Sequence, residues 1–245
     1  MAEPLSGERD RAAERLGDSD ARRLRECILA GGVAVFPADT VYGLACDPTN
    51  RAAVARLYEL KGRPPDRPAA VMFFSLQAAL AALPELGERE WGALRALLPG
   101  PFTLLLPNRE HRFPLACAPG SMTAAAEGAA ATGSGAPAGL DTLGLRVPRL
   151  PDSLAALSAV DVPVMQSSAN LSGGAEARRL EEVPRALRDG ADLVLDGGSL
   201  PGVASTVLDL GDYEAAGRWR IVRAGPVGEA EVAAALGWPP SGAPI

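Results

Sequence analysis

Lys61, Arg63 and Arg67 place three cations in one seven-residue stretch, Lys61-Gly62-Arg63-Pro64-Pro65-Asp66-Arg67, stiffened by a glycine and two prolines. Cationic side chains on a stiff loop make a cradle for an anion, because hydrogen bonds between charged partners are the strong ones. Lys61 is the one lysine among 24 basic residues, the other 23 being arginines. In a chain so biased toward arginine, a compact, mobile ammonium at this place reads as an anion ligand. A solvated surface lysine is the ordinary alternative; the Gly/Pro-rich basic context favours the cradle.

Further polar groups stand where apolar runs end. Val33–Phe36 reads as a buried strand stopped at Pro37, which lacks a donor and fixes its φ. Asp39 and Thr40 follow, with side-chain oxygens for a turn or a ligand. Gly43 marks a close approach of backbone or ligand. Arg146, then Ser167-Ser168-Ala169-Asn170, Ser205-Thr206 and Arg223 lie on or just after other strand-like runs. Ligands of open α/β sheets bind at strand ends, so these groups can converge on one cleft. Singly, each has a plain structural use as a turn cap, a strand residue or the partner of a surface carboxylate. Together with the cradle they describe a hydroxyl- and cation-lined anion pocket.

The elements that must position these groups alternate between strand and helix. Helical spacing predicts Ala21–Ala30, capped by Ser19 or Asp20, and Arg51–Leu60, capped by Asn50. Helices are also expected at 75–83, 88–98, Asp152–Leu157, around 180–189 and at Glu229–Leu236. Short apolar runs predict strands at Ala69–Phe74, Phe102–Leu106, Leu143–Val147, Val162–Gln166, Leu193–Leu195, Ser205–Leu210 and Arg220–Arg223. Interleaved helices and strands mean an α/β fold, and the short links make its open sheet mixed. Residues 1–19 read as a polar tail, 20–228 as the catalytic domain, and 229–245 as a closing helix and tail. Residues 108–141, above all the Ala/Gly-rich part from 115, read as a mobile surface loop.

Composition excludes several classes. With 47% hydrophobic and 22% charged residues, the 245-residue chain is globular rather than disordered. A net charge of −6 and 4% aromatics argue against a broad basic surface for nucleic acid. Three dispersed cysteines without a CxxC suggest neither disulfides nor zinc, and point to the cytoplasm. No charged-then-apolar leader is expected from the polar, Arg/Glu/Asp-rich first residues, and no apolar run has membrane-spanning length. The one histidine, His111, sits among polar neighbours and reads as a surface residue, so Ser-His-Asp chemistry has little support. Neither a P-loop nor a dinucleotide fingerprint occurs.

PADTVYGLACDP, LKGRPPDRP, LLPGPFTLLL, LGLRVPRLP, SSANLSGG, LVLDGG, STVLDL and IVRAGPV follow one another along the chain. On these motifs, residues 20 to about 228 resemble the YrdC/Sua5/TsaC family of L-threonylcarbamoyladenylate synthases. The resemblance implies a twisted open α/β sheet around a deep, positively charged cavity. It also implies condensation of L-threonine, bicarbonate and ATP to threonylcarbamoyl-AMP and pyrophosphate. A separate transferase would then carry the threonylcarbamoyl group to adenosine 37 of tRNAs that read ANN codons; contact with tRNA is compatible with this but not required. A threonine carbamate must attack the α-phosphorus of ATP, so the site needs cations and the Mg²⁺ that accompanies ATP, not a nucleophilic side chain. By resemblance, Lys61, Arg63, Arg67, Thr142, Asn170 and Arg223 contact ATP, Lys61 and Arg63 being the catalytic cations. Thr40, Arg146, Ser168 and Ser205 hold threonine, and no protein side chain is expected to bind the metal. The chain departs from the pattern at Met72, where many members carry histidine, at Ala38 and at Arg178. Its length suggests the short form, without the C-terminal domain of the longer members. The rival reading is a module that binds double-stranded RNA or tRNA without catalysis.

Overall fold

The computed structural model describes residues 15–64, 66–118 and 139–237. The first helix, α1 (Asp18–Leu29), buries Ala21, Leu24 and Ile28 at helical spacing against the sheet. It starts earlier than the serine and aspartate signals suggest. Gly17 is the cap, and Asp20, one turn in, accepts the Gly17 N–H at 3.0 Å. Leu16 is already in the core, its N–H bonded to Ser153 O at 2.9 Å.

Strands β1 (Ala34–Pro37) and β2 (Tyr42–Cys46) form a hairpin, buried throughout. The turn between them carries Asp39 and Thr40. α2 (Arg51–Lys61) opens as expected, with Asn50 Oδ1 accepting the Ala53 N–H at 3.1 Å. It closes on Gly62 at φ +58°, the left-handed conformation that glycine adopts without penalty. There follow β3 (Ala70–Met72), α3 (Leu76–Ala82), α4 (Glu88–Leu97), β4 (Phe102–Pro107), α5 (Pro114–Cys117), β5 (Thr142–Arg146) and β6 (Val164–Ser168). The chain then runs through α6 (Arg185–Gly190), β7 (Leu193–Val194), β8 (Thr206–Asp209), α7 (Tyr213–Ala216), β9 (Arg220–Arg223) and α8 (Glu229–Leu236).

The strands make one mixed sheet in the order β7-β1-β2-β6-β3-β5-β4-β8-β9. The β7/β1, β3/β5 and β4/β8 pairs are parallel and the others antiparallel. The centre of the sheet joins chain segments far apart in sequence, and its side chains, such as Leu44, Val71, Leu104, Leu145 and Leu208, are buried.

VYGLA, read in the sequence only for the close approach at its glycine, is strand β2. Two expected helices change. The helix expected at Asp152–Leu157 is a 3-10 segment over Asp152–Ala159. The helix expected around 180–189 is a 3-10 turn, Leu180–Glu182, and then α6, separated at Pro184, which cannot donate into a continuous helix. The described ends of the 108–141 stretch are anchored rather than loose. Asn108 Nδ2 donates to Arg112 O at 3.0 Å and Leu140 O at 2.8 Å, and Leu115, Ala116 and Cys117 are buried. Residues 119–138, on which the rest of that expectation falls, lie outside the described residues. His111 is exposed, with Nε2 3.2 Å from Asp141 Oδ1.

Candidate active site

The polar groups that end strands do converge. A cavity of about 180 Å³ lies over the middle of the sheet, lined by Arg63, Arg146 and Arg223, by the hydroxyls of Thr103, Ser167, Ser168 and Ser205, and by Gln166 and Glu176. Val41, Ala69, Ala70, Ala204 and Val207 supply small or apolar wall between them. The lining thus includes three arginines and one glutamate.

Arg146 ends β5 and is almost wholly buried. Its Nη1 donates to Gln166 Oε1 at 2.9 Å, and its Nη2 donates to Asp39 Oδ1 at 2.8 Å and reaches Thr40 Oγ1 at 3.5 Å. Burial pushes Arg146 down from the usual arginine range while Asp39 holds it up; burial pushes Asp39 up while Arg146 holds it down. The pair remains ionised, because guanidinium does not give up its proton in proteins and its charge is the compensation Asp39 has. Arg146 Nε and Asp39 Oδ2 are buried without a hydrogen-bond partner. An N–H donor left over on a cavity-lining guanidinium suits a carboxylate ligand.

Gly43 makes the Gln166 contact possible. A Cβ there would lie 2.7 Å from Gln166 Nε2 and 3.3 Å from Ser167 O. The close approach expected at Gly43 is thus real, and a neighbouring strand makes it. Gln166 sits opposite Ala45 and Ala70 in β6, so it reaches the cavity from the floor.

Lys61, at the end of α2, is buried rather than solvated. Its ammonium donates to Ser168 O, to Asn170 O at 2.9 Å and to Asn170 Oδ1 at 2.7 Å. Ser168 Oγ also donates to Asn170 Oδ1, at 2.7 Å, and Asn170 Nδ2 to Gly174 O at 2.5 Å. Burial, and then the nearby charge of Arg63, push the Lys61 ammonium down to about 8, with Glu176 acting against them. Lys61 is not among the residues that line the cavity; it holds the Ser168–Asn170 turn behind the lining. Arg63 does line it, with Nη2 donating to Pro68 O at 2.5 Å and its guanidinium 5.7 Å from the Tyr58 ring centre.

At the opposite wall, Arg223 Nη2 donates to Ser205 O at 2.8 Å and reaches Ser205 Oγ at 3.2 Å. Ser205 Oγ is 2.8 Å from Thr103 Oγ1. Gly225 lets this wall close: a Cβ there would lie 2.3 Å from Thr206 N and 2.6 Å from Ser205 C. Thr40 is held by its carbonyl, which accepts the Gly202 N–H at 2.8 Å.

Of the residues singled out in the sequence, Arg63, Arg146, Ser168, Ser205 and Arg223 line the cavity. Thr40, Lys61 and Asn170 bond to residues that do. Arg67 and Thr142 are exposed and outside the lining, Thr142 at the far end of β5 from Arg146. Sequence reasoning missed Thr103, Gln166 and Glu176. Gln166 had a readable signal, a lone amide in an apolar strand, whereas Thr103 and Glu176 had none. Cys46 and Cys117 are buried, and burial pushes their thiols up to about 12 and about 11; none of the three cysteines lines the cavity.

The Sua5/yciO/yrdC family model, described as telomere recombination, matches residues 26–225. A threonylcarbamoyl-AMP synthase of Pyrococcus abyssi is 29% identical over 201 residues, covering 82% of this chain and 53% of the relative. The chain thus spans about half the length of that relative. A Mycobacterium leprae protein named as a putative threonylcarbamoyl-AMP synthase is 32% identical over 232 residues, covering 91% of this chain and 92% of the relative. The crystal structure of P. abyssi Sua5 complexed with L-threonine superposes with a TM-score of 0.73 at 27% identity, covering 93% of this chain and 60% of that one.

Proposed function

The chain belongs to the Sua5/YciO/YrdC family, and from that premise we propose that it condenses L-threonine, bicarbonate and ATP to threonylcarbamoyl-AMP and pyrophosphate. The observation that carries this reading is Arg146: a buried guanidinium on the lining of a cavity that Ser168 and Ser205 also line, oriented by Asp39 and Gln166, with its Nε–H buried and unpartnered. Such a group takes a small carboxylate, and Thr40, Ser168 and Ser205 stand around it to orient the rest of an amino acid. The names of the relatives, threonylcarbamoyl-AMP synthases, support threonine as that amino acid.

The reaction brings two anions together, the carbamate formed from threonine's amine and bicarbonate, and the α-phosphate it attacks. The protein's task is to hold both against their repulsion with fixed positive charge. Arg63 and Arg223, on facing walls, bind phosphate oxygens. Lys61 adds its charge from behind the Ser168–Asn170 turn, and reaches a phosphate oxygen directly by exchanging one of its protein acceptors. At about 180 Å³ the cavity falls short of the ~300–1,000 Å³ usual for pockets that enclose a drug-sized ligand. A nucleotide would therefore extend beyond the cavity, and the family resemblance assigns Arg67, Thr142 and Asn170 to it. Mg²⁺ would come with ATP and shield the phosphates. The cavity's one carboxylate, Glu176, leaves phosphate oxygens and water to supply its ligands.

The product would pass to a separate tRNA-modifying transferase. No helix among the described residues is long and apolar enough to cross a membrane. Incubation with ATP, Mg²⁺, L-threonine and labelled bicarbonate should give labelled threonylcarbamoyl-AMP and pyrophosphate. ATP turnover that is indifferent to threonine would reject the reading.

A further inference from the structure

Glu176 is the one acid among the lining residues, facing Arg63, Arg146 and Arg223. Its Oε2 is buried and without a hydrogen-bond partner. Its charge is felt by both Lys61 and Arg146, so the carboxylate lies within electrostatic reach of the two most buried cations of the site. Yet among the described residues it forms no ion pair with either, although arginines elsewhere in the chain close such pairs at 2.6–3.2 Å. The segment that carries it is fixed on both sides. Asn170 Nδ2 holds Gly174 O at 2.5 Å, and Tyr42 N–H donates to Ala177 O at 2.9 Å. Glu176 thus stands on an anchored stretch of chain, and its side chain keeps an acceptor in reserve.

We propose that Glu176 receives the substrate's α-ammonium group, so that the cavity recognises an amino acid as a zwitterion. This rests on the function proposed above and names the group that reads the positive end of the same substrate. A pocket lined by arginines alone would bind any small carboxylate and would repel an ammonium group. A single carboxylate in that lining reverses the sign locally, and a buried, unpaired acceptor has much to gain from a charged donor. Arg146 takes the carboxylate, Glu176 the ammonium, and the hydroxyls of Ser168 and Ser205 remain for the side chain. Specificity then comes partly from rejection. A hydroxy acid of the same shape would leave Glu176 buried without its cation.

The test uses Glu176→Gln, which keeps the size and shape of the side chain, together with L-threonine and its deaminated analogue 2,3-dihydroxybutyrate. Calorimetry on the wild-type protein should show threonine binding at least ~10-fold more tightly than dihydroxybutyrate. In Glu176→Gln, threonine should weaken about tenfold or more, dihydroxybutyrate should hold or tighten, and the preference should collapse. KM for threonine should rise while KM for ATP stays level or falls, since an anion has left the site. Equal changes for both ligands would mean that Glu176 only balances charge, and would overturn the proposal. So would a variant whose demand for Mg²⁺ rises while threonine binding is untouched, which would make Glu176 a metal ligand. If the wild type binds neither threonine nor ATP, it is the proposed function that fails. If the wild type makes threonylcarbamoyl-AMP and Glu176→Gln keeps the preference, only this inference does.

Discussion

Lys61 Nζ donates to Asn170 Oδ1 at 2.7 Å, although the two residues lie 109 apart in the sequence. The contact ties the end of α2 to the turn after β6, and the ammonium's four acceptors, Ser168 Oγ at 3.4 Å the most distant, all belong to Ser168 and Asn170. Lys61→Met keeps the length of the side chain and removes every donor. The abandoned acceptors cost roughly 1–3 kcal/mol each and are not additive, so a loss of about 3 kcal/mol in urea denaturation is expected. ATP use should fall at least tenfold, because the turn that presents Asn170 loosens as the charge disappears. Unchanged stability would show that the clamp is incidental.

The same lysine gives the protein a pH signature. Its folded pKa of about 8 lies below the roughly 10.4 of an unfolded chain. Between those values the unfolded state binds more protons, so this group's contribution to stability rises with pH. The cost of burying the charge is fully present below about 8 and is relieved as pH climbs toward 10.4. Nucleotide affinity should move the other way, falling above pH 8 as the ammonium is lost. Comparing wild type with Lys61→Met between pH 7 and 10, by denaturation and by ATP binding, isolates both trends. Parallel pH profiles for the two proteins would contradict the assignment.

How much of this was legible in the sequence depends on the range of the interaction. Asn50 and Gly62 frame α2 through bonds within one turn, and both signals were readable. The motif residues Arg146, Ser168, Ser205 and Arg223 were readable too, as polar groups that interrupt apolar runs. The order of the strands was not, because β2 pairs with β6 across more than a hundred residues and neither strand carries a mark of the other. Lys61 was singled out for its chemistry, but its acceptors are backbone carbonyls and an amide on a distant turn, which no local pattern announces. Glu176 was invisible for a related reason: its meaning comes from the arginines around it, and they arrive from three other elements.

Gly43→Ala tests how far the floor of the site can yield. The new methyl would stand 2.7 Å from Gln166 Nε2, the far end of a side chain, and 3.3 Å from Ser167 O. Gln166 would swing away and withdraw the acceptor that orients Arg146 Nη1. Overpacking of this kind costs about 1–3 kcal/mol. Thermal denaturation should show that loss, and KM for threonine should rise more than KM for ATP, because the damage reaches Arg146 before Arg63 or Arg223.

Gly225→Ala should be harsher, because what it meets is backbone. Its Cβ would fall 2.3 Å from Thr206 N, 2.6 Å from Ser205 C and 2.7 Å from Ala204 O. No side chain can move aside there, so the segment after β9 must lift away from β8. Arg223 would lose Ser205 O, and one wall of the cavity would open. Expected are a stability loss at the upper end of the ~1–3 kcal/mol overpacking range or beyond it, and loss of both ATP and threonine binding. A variant that bound threonine normally would show that Arg223 and Ser205 act independently of this docking.

Asp39→Asn separates the aim of Arg146 from its presence. Asp39 and Arg146 form an ion pair at 2.8 Å with side chains only 4% and 6% exposed. Removing one charge of such a pair leaves the other buried and uncompensated, at about 3–5 kcal/mol. Asparagine can still offer an oxygen to Nη2, so part of the geometry survives while the compensation does not. The guanidinium, still held by Gln166 on Nη1 but less firmly on Nη2, would then bind carboxylates with less selectivity. Expected are a lower midpoint in urea and a threonine KM raised several-fold, with the ATP KM nearly unchanged. The double variant Asp39→Asn/Arg146→Met should recover stability, since no charge remains to strand, yet it should not recover threonine use. If it recovered both, the pair would be scaffolding, and the carboxylate of the substrate would have to be held elsewhere.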